Sequence, residues 1–200
     1  MLAGAMLVCA LALRADDTAA PATTPEPSYH ASIVALFGKD VVAVDKSKIA
    51  TAPDLVKKKK YLFIYQGANW CPPCRAFSPT LVAFYNHFYA SNGDFELIFV
   101  SLDKSQSEMD TYMKREKMPW AGLKPGSKGA KALQSKYKGS GIPSLTLIDE
   151  NDKVLAHSFD AKGKYLGPRV ALEVYMQLHG MKPAPASMRK AMTKGTGKKS

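Results

Sequence analysis

Residues 61–75 read Tyr-Leu-Phe-Ile-Tyr-Gln-Gly-Ala-Asn-Trp-Cys-Pro-Pro-Cys-Arg, a buried strand run, a turn and the start of a helix in fifteen residues. Tyr61–Tyr65 is a run of apolar and aromatic residues without polar alternation, the pattern of a central strand covered on both faces. Gly67-Ala68-Asn69 turns the chain. From about Cys71 to Ser91 the residues Phe77, Leu81, Phe84, Tyr85 and Phe88 recur at three- and four-residue spacing, which predicts a helix with one strongly apolar face. Pro79 falls inside it and is expected to kink it.

Upstream, Val41–Val44 is a largely β-branched run suited to a first strand, and Lys48–Val56 a loosely amphipathic connection. Lys57–Lys60 reads as a solvated strand entrance that discourages aggregation of the apolar run behind it. Downstream, Phe95–Leu102 predicts a second buried strand, and Ser105-Gln106-Ser107-Glu108 a capping box opening a helix to about Glu116. Ser127–Tyr137 predicts a further helix, stopped by Gly139 and Gly141. Ser144–Ile148 and Val154–Ser158 form a hairpin pattern around Asp149–Lys153. Gly167-Pro168 opens, and Gly180 closes, a last helix carrying Val170, Leu172, Val174, Tyr175 and Leu178. This order predicts an α/β fold, a central mixed sheet with helices on both faces.

The 200 residues hold 28 Lys plus Arg, 17 Asp plus Glu and 3 Cys, for a net charge of +11. That length suits one domain with appendages. Residues 1–15 are apolar to Leu13 and then carry Arg14. They match an export signal and are too short to span a bilayer, so export to a periplasmic or extracellular compartment is the expectation. Residues 16–30 read as a flexible linker, 31–180 as the folded domain and 181–200 as a disordered basic tail. The tail supplies six of the positive charges and Lys57–Lys60 four more. Without a stripe of basic residues interleaved with aromatics, no nucleic-acid partner is expected, although the tail could touch anionic surfaces weakly.

Setting Cys9 aside with the export signal leaves Cys71 and Cys74, spaced C-x-x-C at a strand-to-helix junction. A thiolate at Cys71 would meet the unsatisfied N–H groups and dipole of a helix start, which favour negative charge. Cys74, one turn on, can attack a mixed disulfide formed at Cys71. That is dithiol–disulfide exchange and needs no cofactor beyond the Cys71–Cys74 pair itself. A structural disulfide is the alternative, although a ring so short contributes little loop entropy. Zinc would need two more ligands, and His30, His87, His157 and His179 show no paired spacing, so no metal is expected. Pro143, in Gly141-Ile142-Pro143-Ser144-Leu145, stands at the mouth of a strand, where a cis-proline loop would fit beside a C-x-x-C.

Trp70–Arg75 with Phe77, Pro79, Leu81 and Phe84-Tyr85 resembles the active-site helix of the tryparedoxin and nucleoredoxin branch of the thioredoxin superfamily. Met118-Pro119-Trp120 resembles that branch's Met-Pro-Trp loop, and Ile142–Leu145 stands where its Ile-Pro-Thr-Leu would. The likeness spans about Leu36 to Ser158. It implies a thioredoxin-like fold with Cys71 as nucleophile and Cys74 as resolving thiol. It further implies that Pro143 is cis and leaves the Ile142 backbone free to pair with a substrate segment. Trp70, Pro72, Pro73 and Trp120 would flank the sulfurs and contact substrate, with plain core packing the alternative for each tryptophan.

Two departures matter. Ordinary thioredoxins carry a buried Asp six residues before the first cysteine, where this chain and the tryparedoxin branch have tyrosine, here Tyr65. The stretch Ala121–Gly126 after Trp120 differs from the branch's usual continuation, so substrate preference does not carry over. The expected activity is reduction of protein or peptide disulfides by a monomer that a separate donor protein re-reduces. A peptide-binding module with a structural disulfide, or a disulfide oxidase or isomerase, are the alternatives.

Overall fold

The computed structural model describes residues 29–37, 41–42 and 52–181. The expected export signal, the linker to residue 28, Ala43 and Val44, residues 48–51 and the tail from Lys182 lie outside the described residues. Among the described residues six strands form one sheet: β1 (Val41–Val42), β2 (Tyr61–Gly67), β3 (Phe95–Ser101), β4 (Ala121–Leu123), β5 (Ser144–Asp149) and β6 (Val154–His157). Their spatial order is β1-β4-β3-β2-β5-β6. The pairs β2–β3 and β3–β4 are parallel, and the other three neighbours are antiparallel. The helices are α1 (Ala31–Phe37), α2 (Ala52–Val56), α3 (Pro72–Ser91), α4 (Gln106–Arg115), α5 (Lys128–Lys136) and α6 (Arg169–Leu178). This is the expected mixed sheet with helices on both faces.

β2 is buried along its whole length, which explains the missing alternation in its sequence. Tyr61, Phe63 and Tyr65 enter one core with α3, α4 and α6, whereas Leu62 and Ile64 enter a second core with α1, α5 and Val56 of α2. The strand outlasts its apolar run by two residues. Gln66 pairs with Val100 and Ser144, and its buried side-chain amide donates to the Tyr137 carbonyl at 2.9 Å.

α3 runs through Pro79 to Ser91 as its periodicity predicts. α4 is capped as its motif predicts: Ser105 Oγ accepts from the Glu108 N–H at 3.2 Å, while Glu108 Oε2 reaches back to the Lys104 N–H at 2.9 Å.

α1 and β4 were not anticipated from sequence. α1 packs across α5 so closely that a Cβ on Gly129 would stand 2.3 Å from the Leu36 carbonyl oxygen. Ahead of it, His30 is fully buried, with Nε2 2.9 Å from the Lys59 carbonyl oxygen, so the last residue of the expected linker belongs to the packed structure. β4 has only the sequence Ala-Gly-Leu, and its pairing with β1 and β3 makes it a strand.

Candidate active site

The carboxyl end of β2 leads into α3 through a turn that is tied down on several sides. The Gly67 carbonyl accepts from the Leu102 N–H at 2.9 Å, and the Asn69 N–H donates to Asp103 Oδ1 at 2.8 Å. Asp103 also accepts from the Ser101 hydroxyl at 2.8 Å. Burial pushes its carboxyl pKa up, and the Ser101 and Asn69 bonds offset part of that rise. Arg75 reaches the Asn69 carbonyl at 2.7 Å, and Arg115 reaches Asn69 Oδ1 at 2.8 Å. Asn69 and Asp103 are thus the anchors of the turn. Sequence reading missed both, because a bond across 34 residues leaves no local pattern.

Cys71 is the N-cap of α3, in extended backbone. Pro72 and Pro73 occupy the first two helical positions and bring no N–H. The first N–H available at the helix start is therefore that of Cys74, and it points at Cys71 Sγ across 3.2 Å. The two sulfurs are joined as a disulfide, with their Cα atoms 5.2 Å apart. Cys74 is fully buried and Cys71 3% exposed, so a reaction partner meets Cys71 first.

The expected site residues separate into those gathered round Cys71 and one that lies elsewhere. Trp70 is 57% exposed beside the disulfide, its indole N–H donating to the Leu102 carbonyl at 3.3 Å. Pro72 and Pro73 are exposed. The Ile142 carbonyl oxygen lies 3.7 Å from Cys71 Sγ, the Ile142–Pro143 peptide is cis, and the Pro143 carbonyl accepts from the Tyr165 hydroxyl at 2.9 Å.

Trp120 corrects the sequence reading. It is 2% exposed and packs on Tyr85, with ring centroids 5.3 Å apart. It enters β4 just before Ala121, which pairs with Ile98, whereas the turn is tied at Ser101 and Leu102. At roughly 3.3 Å per residue that is about 10 Å or more down the sheet. Its bulk fills the core and offers substrate no surface.

Behind Cys74 sits a closed set of hydroxyls. The Cys74 carbonyl accepts from Ser78 at 3.0 Å and from Tyr65 at 3.5 Å. Ser78 and Tyr112 are 2.6 Å apart, and Tyr65 and Tyr112 3.2 Å. Burial raises the pKa of both phenols, so the set stays neutral and orients the first turn of α3 without supplying a base. Among the described residues no cluster of His, Cys, Asp and Glu is arranged to hold a metal ion, and no helix is long and apolar enough to cross a membrane.

Residues 59–154 match the family model described as thioredoxin-like. The chain is 38% identical over 130 residues to "Probable nucleoredoxin 1" of Arabidopsis thaliana, covering 60% of this chain and 22% of that protein. It is 38% identical over 92 residues to tryparedoxin of Trypanosoma brucei brucei, covering 45% of this chain and 61% of the relative. The crystal structure of thioredoxin from Wuchereria bancrofti superimposes with a TM-score of 0.57 at 31% identity, covering 72% of this chain and 97% of that one. The chain thus spans about a fifth of the nucleoredoxin and less than two thirds of the tryparedoxin.

Proposed function

The chain carries a thioredoxin-like domain with nucleoredoxins and tryparedoxins among its homologues, and from that premise we propose that it reduces protein disulfides through a Cys71/Cys74 cycle. The observation that carries this reading is the asymmetry of the pair. Cys71 caps a helix, receives the Cys74 N–H and keeps a sliver of exposure beside Trp70 and Ile142, whereas Cys74 has none.

In the reduced protein the Cys71 thiolate attacks one sulfur of the substrate disulfide, and the other sulfur leaves as a thiolate that takes up a proton. Cys74 then loses its proton and attacks Cys71 Sγ, releasing the second substrate thiol. Two electrons have passed to the substrate, and the Cys71–Cys74 disulfide remains. A dithiol donor protein returns the pair to the reduced state by the reverse exchange.

Direction follows from the two prolines. They leave a Cys71 thiolate one N–H donor in the first three helical positions, which argues for a potential near thioredoxin's, about -270 mV, and against that of a strong oxidant near -120 mV. Turnover of insulin disulfides with dithiothreitol tests the activity, with Cys71→Ser expected to fall to the uncatalysed rate; equal rates for variant and wild type would sink the enzyme reading. A potential above roughly -160 mV would reverse the direction. A Cys74→Ser variant should hold its partner as a mixed disulfide through Cys71, which identifies the substrate.

A further inference from the structure

A groove of about 300 Å³ opens beside the disulfide. Pro73, Ala76 and Phe77 form one wall, Pro143 its floor, and the segment from Tyr165 to Arg169 the other wall. Pro73 stands between the two cysteines, and Pro143 follows the residue whose carbonyl lies 3.7 Å from Cys71 Sγ. Any chain whose sulfur reaches Cys71 therefore has this groove alongside it.

The far wall is held in place. The Tyr165 hydroxyl bonds the Pro143 carbonyl at 2.9 Å, the Leu166 N–H bonds the Ser158 carbonyl at 2.8 Å, and the Tyr165 ring lies 5.0 Å from that of Phe159. Even so, Tyr165 and Leu166 stay 48% and 46% exposed, so a fixed apolar surface faces solvent next to the reactive sulfur.

Among the described residues one charged side chain lines this groove, Arg169, and no acid does. The other arginines among the described residues are engaged, Arg75 on the Asn69 carbonyl and Arg115 on Asn69 Oδ1 and Glu116. The Arg169 side chain makes no hydrogen bond or ion pair within the described residues. A guanidinium presents a planar fork of donors that matches a carboxylate in two parallel bonds. No described residue lining this groove supplies such a partner.

We propose that Arg169 selects substrates by pairing with a carboxylate carried close to the substrate cysteine on an extended polypeptide. An apolar neighbour of that cysteine lies against Phe77, Leu166 and Pro168. A polypeptide fits better than a small polar thiol because most of the lining is hydrocarbon. The basic excess over residues 28–180, 21 against 14 acids, also draws acidic segments in. This assignment rests on the disulfide-reductase reading above.

The test uses the pre-reduced full chain and single-turnover rates on disulfide-bonded peptides. Each peptide carries Glu or Gln at a set position, one to four residues to either side of its cysteine. At the matching position the wild type is expected to reduce the Glu peptide about tenfold faster than the Gln peptide at low salt, the size of one well-made charge-assisted pair. Arg169→Ala should bring that ratio to about one, and Arg169→Glu should invert it in favour of a Lys peptide. Equal rates for Glu and Gln at every position in the wild type, or a preference that survives Arg169→Ala, overturn the proposal and leave the reductase reading intact. Slower reduction of glutathione disulfide by Arg169→Ala, with peptide ratios unmoved, would assign the carboxylate to a small thiol and overturn the polypeptide substrate. Failure of the wild type to reduce any peptide faster than Cys71→Ser would overturn both readings together.

Discussion

The sheet has two faces, both covered by helices over its central strands and built from different materials. Toward α3, α4 and α6 the filling is aromatic: the rings of Phe63, Phe84, Phe95 and Tyr175 meet with centroids between 5.1 and 6.0 Å apart. Toward α1, α2 and α5 it is chiefly Ile, Leu, Val and Ala. Phenols on the first face are tied off, Tyr65 and Tyr112 to Ser78, Tyr85 to Glu96 at 2.9 Å and Tyr175 to Asp94 at 2.6 Å. On the second face the buried Tyr137 hydroxyl finds no partner among the described residues, and burial pushes its pKa up to about 12. Directional bonds fix orientation, whereas aliphatic packing fixes only distance. The face that holds the two sulfurs carries most of these directional bonds, though the Trp120 indole N–H there finds no partner among the described residues and Gln66 bonds the Tyr137 carbonyl on the other.

The sharpest way to break this contrast is to remove the sulfur at the edge of the first face. Cys71→Ser should abolish disulfide turnover while circular dichroism and the unfolding midpoint stay close to those of the reduced wild type. Next comes a deletion on the second face. Leu133→Ala empties a fully buried site and is expected to cost roughly 2–5 kcal/mol in denaturant unfolding, with the activity per folded molecule unchanged. A drop in that specific activity of more than about twofold would show that the second face also sets the geometry of the sulfurs.

Two smaller changes sharpen the contrast. Gly129→Ala forces a Cβ against the Leu36 carbonyl, a backbone atom that cannot swing aside. It should loosen α1 for a loss of about 1–3 kcal/mol, seen as faster hydrogen exchange in residues 31–37 with the Cys71 region unaffected. Smallest is the effect of Glu96, whose pKa burial raises from near 4.5, with the Leu97 N–H and the Tyr85 hydroxyl offsetting part of the rise. A carboxyl whose folded pKa is raised lends stability that is full below its unfolded value and is lost as pH rises through the folded one. The midpoint of Glu96→Gln should therefore gain on that of wild type as pH climbs from about 4.5 upward; a difference that stays constant with pH would contradict the burial of a charged group on this face.

Much of this architecture was legible because its signals are local. The buried runs of β2 and β3, the apolar stripe of α3, the cap of α4 and the span of α5 each declare themselves within a few residues, and their ends fall within two residues of expectation. The C-x-x-C spacing singles out Cys71 and Cys74, whereas Trp70 and Pro143 stand out only through the resemblance to a family motif. What escaped is what distance creates. Ala121–Leu123 has no strand propensity of its own, and Gly122 is tolerated there because Met109 and the Phe99 carbonyl crowd the place of a side chain. A tryptophan after a proline looks the same in sequence whether it faces water or Tyr85, so nothing local decides between the sulfurs and the core for Trp120. The Ser78–Tyr112 bond joins residues 34 apart and had no local trace.

The pairing of β1 with β4 has a consequence in time. Val42 sits opposite Gly122, eighty residues later in the chain. At ordinary elongation rates a ribosome needs roughly 4 to 16 seconds to cover that stretch. During that interval β2, α3 and β3 are already made and can close on one another, while Ile33 and Phe37 have no α5 to lie against. The order of synthesis and the order of assembly therefore run in opposite senses: the turn that carries the cysteines can be shaped early, and the first helix of the domain is among the last pieces to be seated.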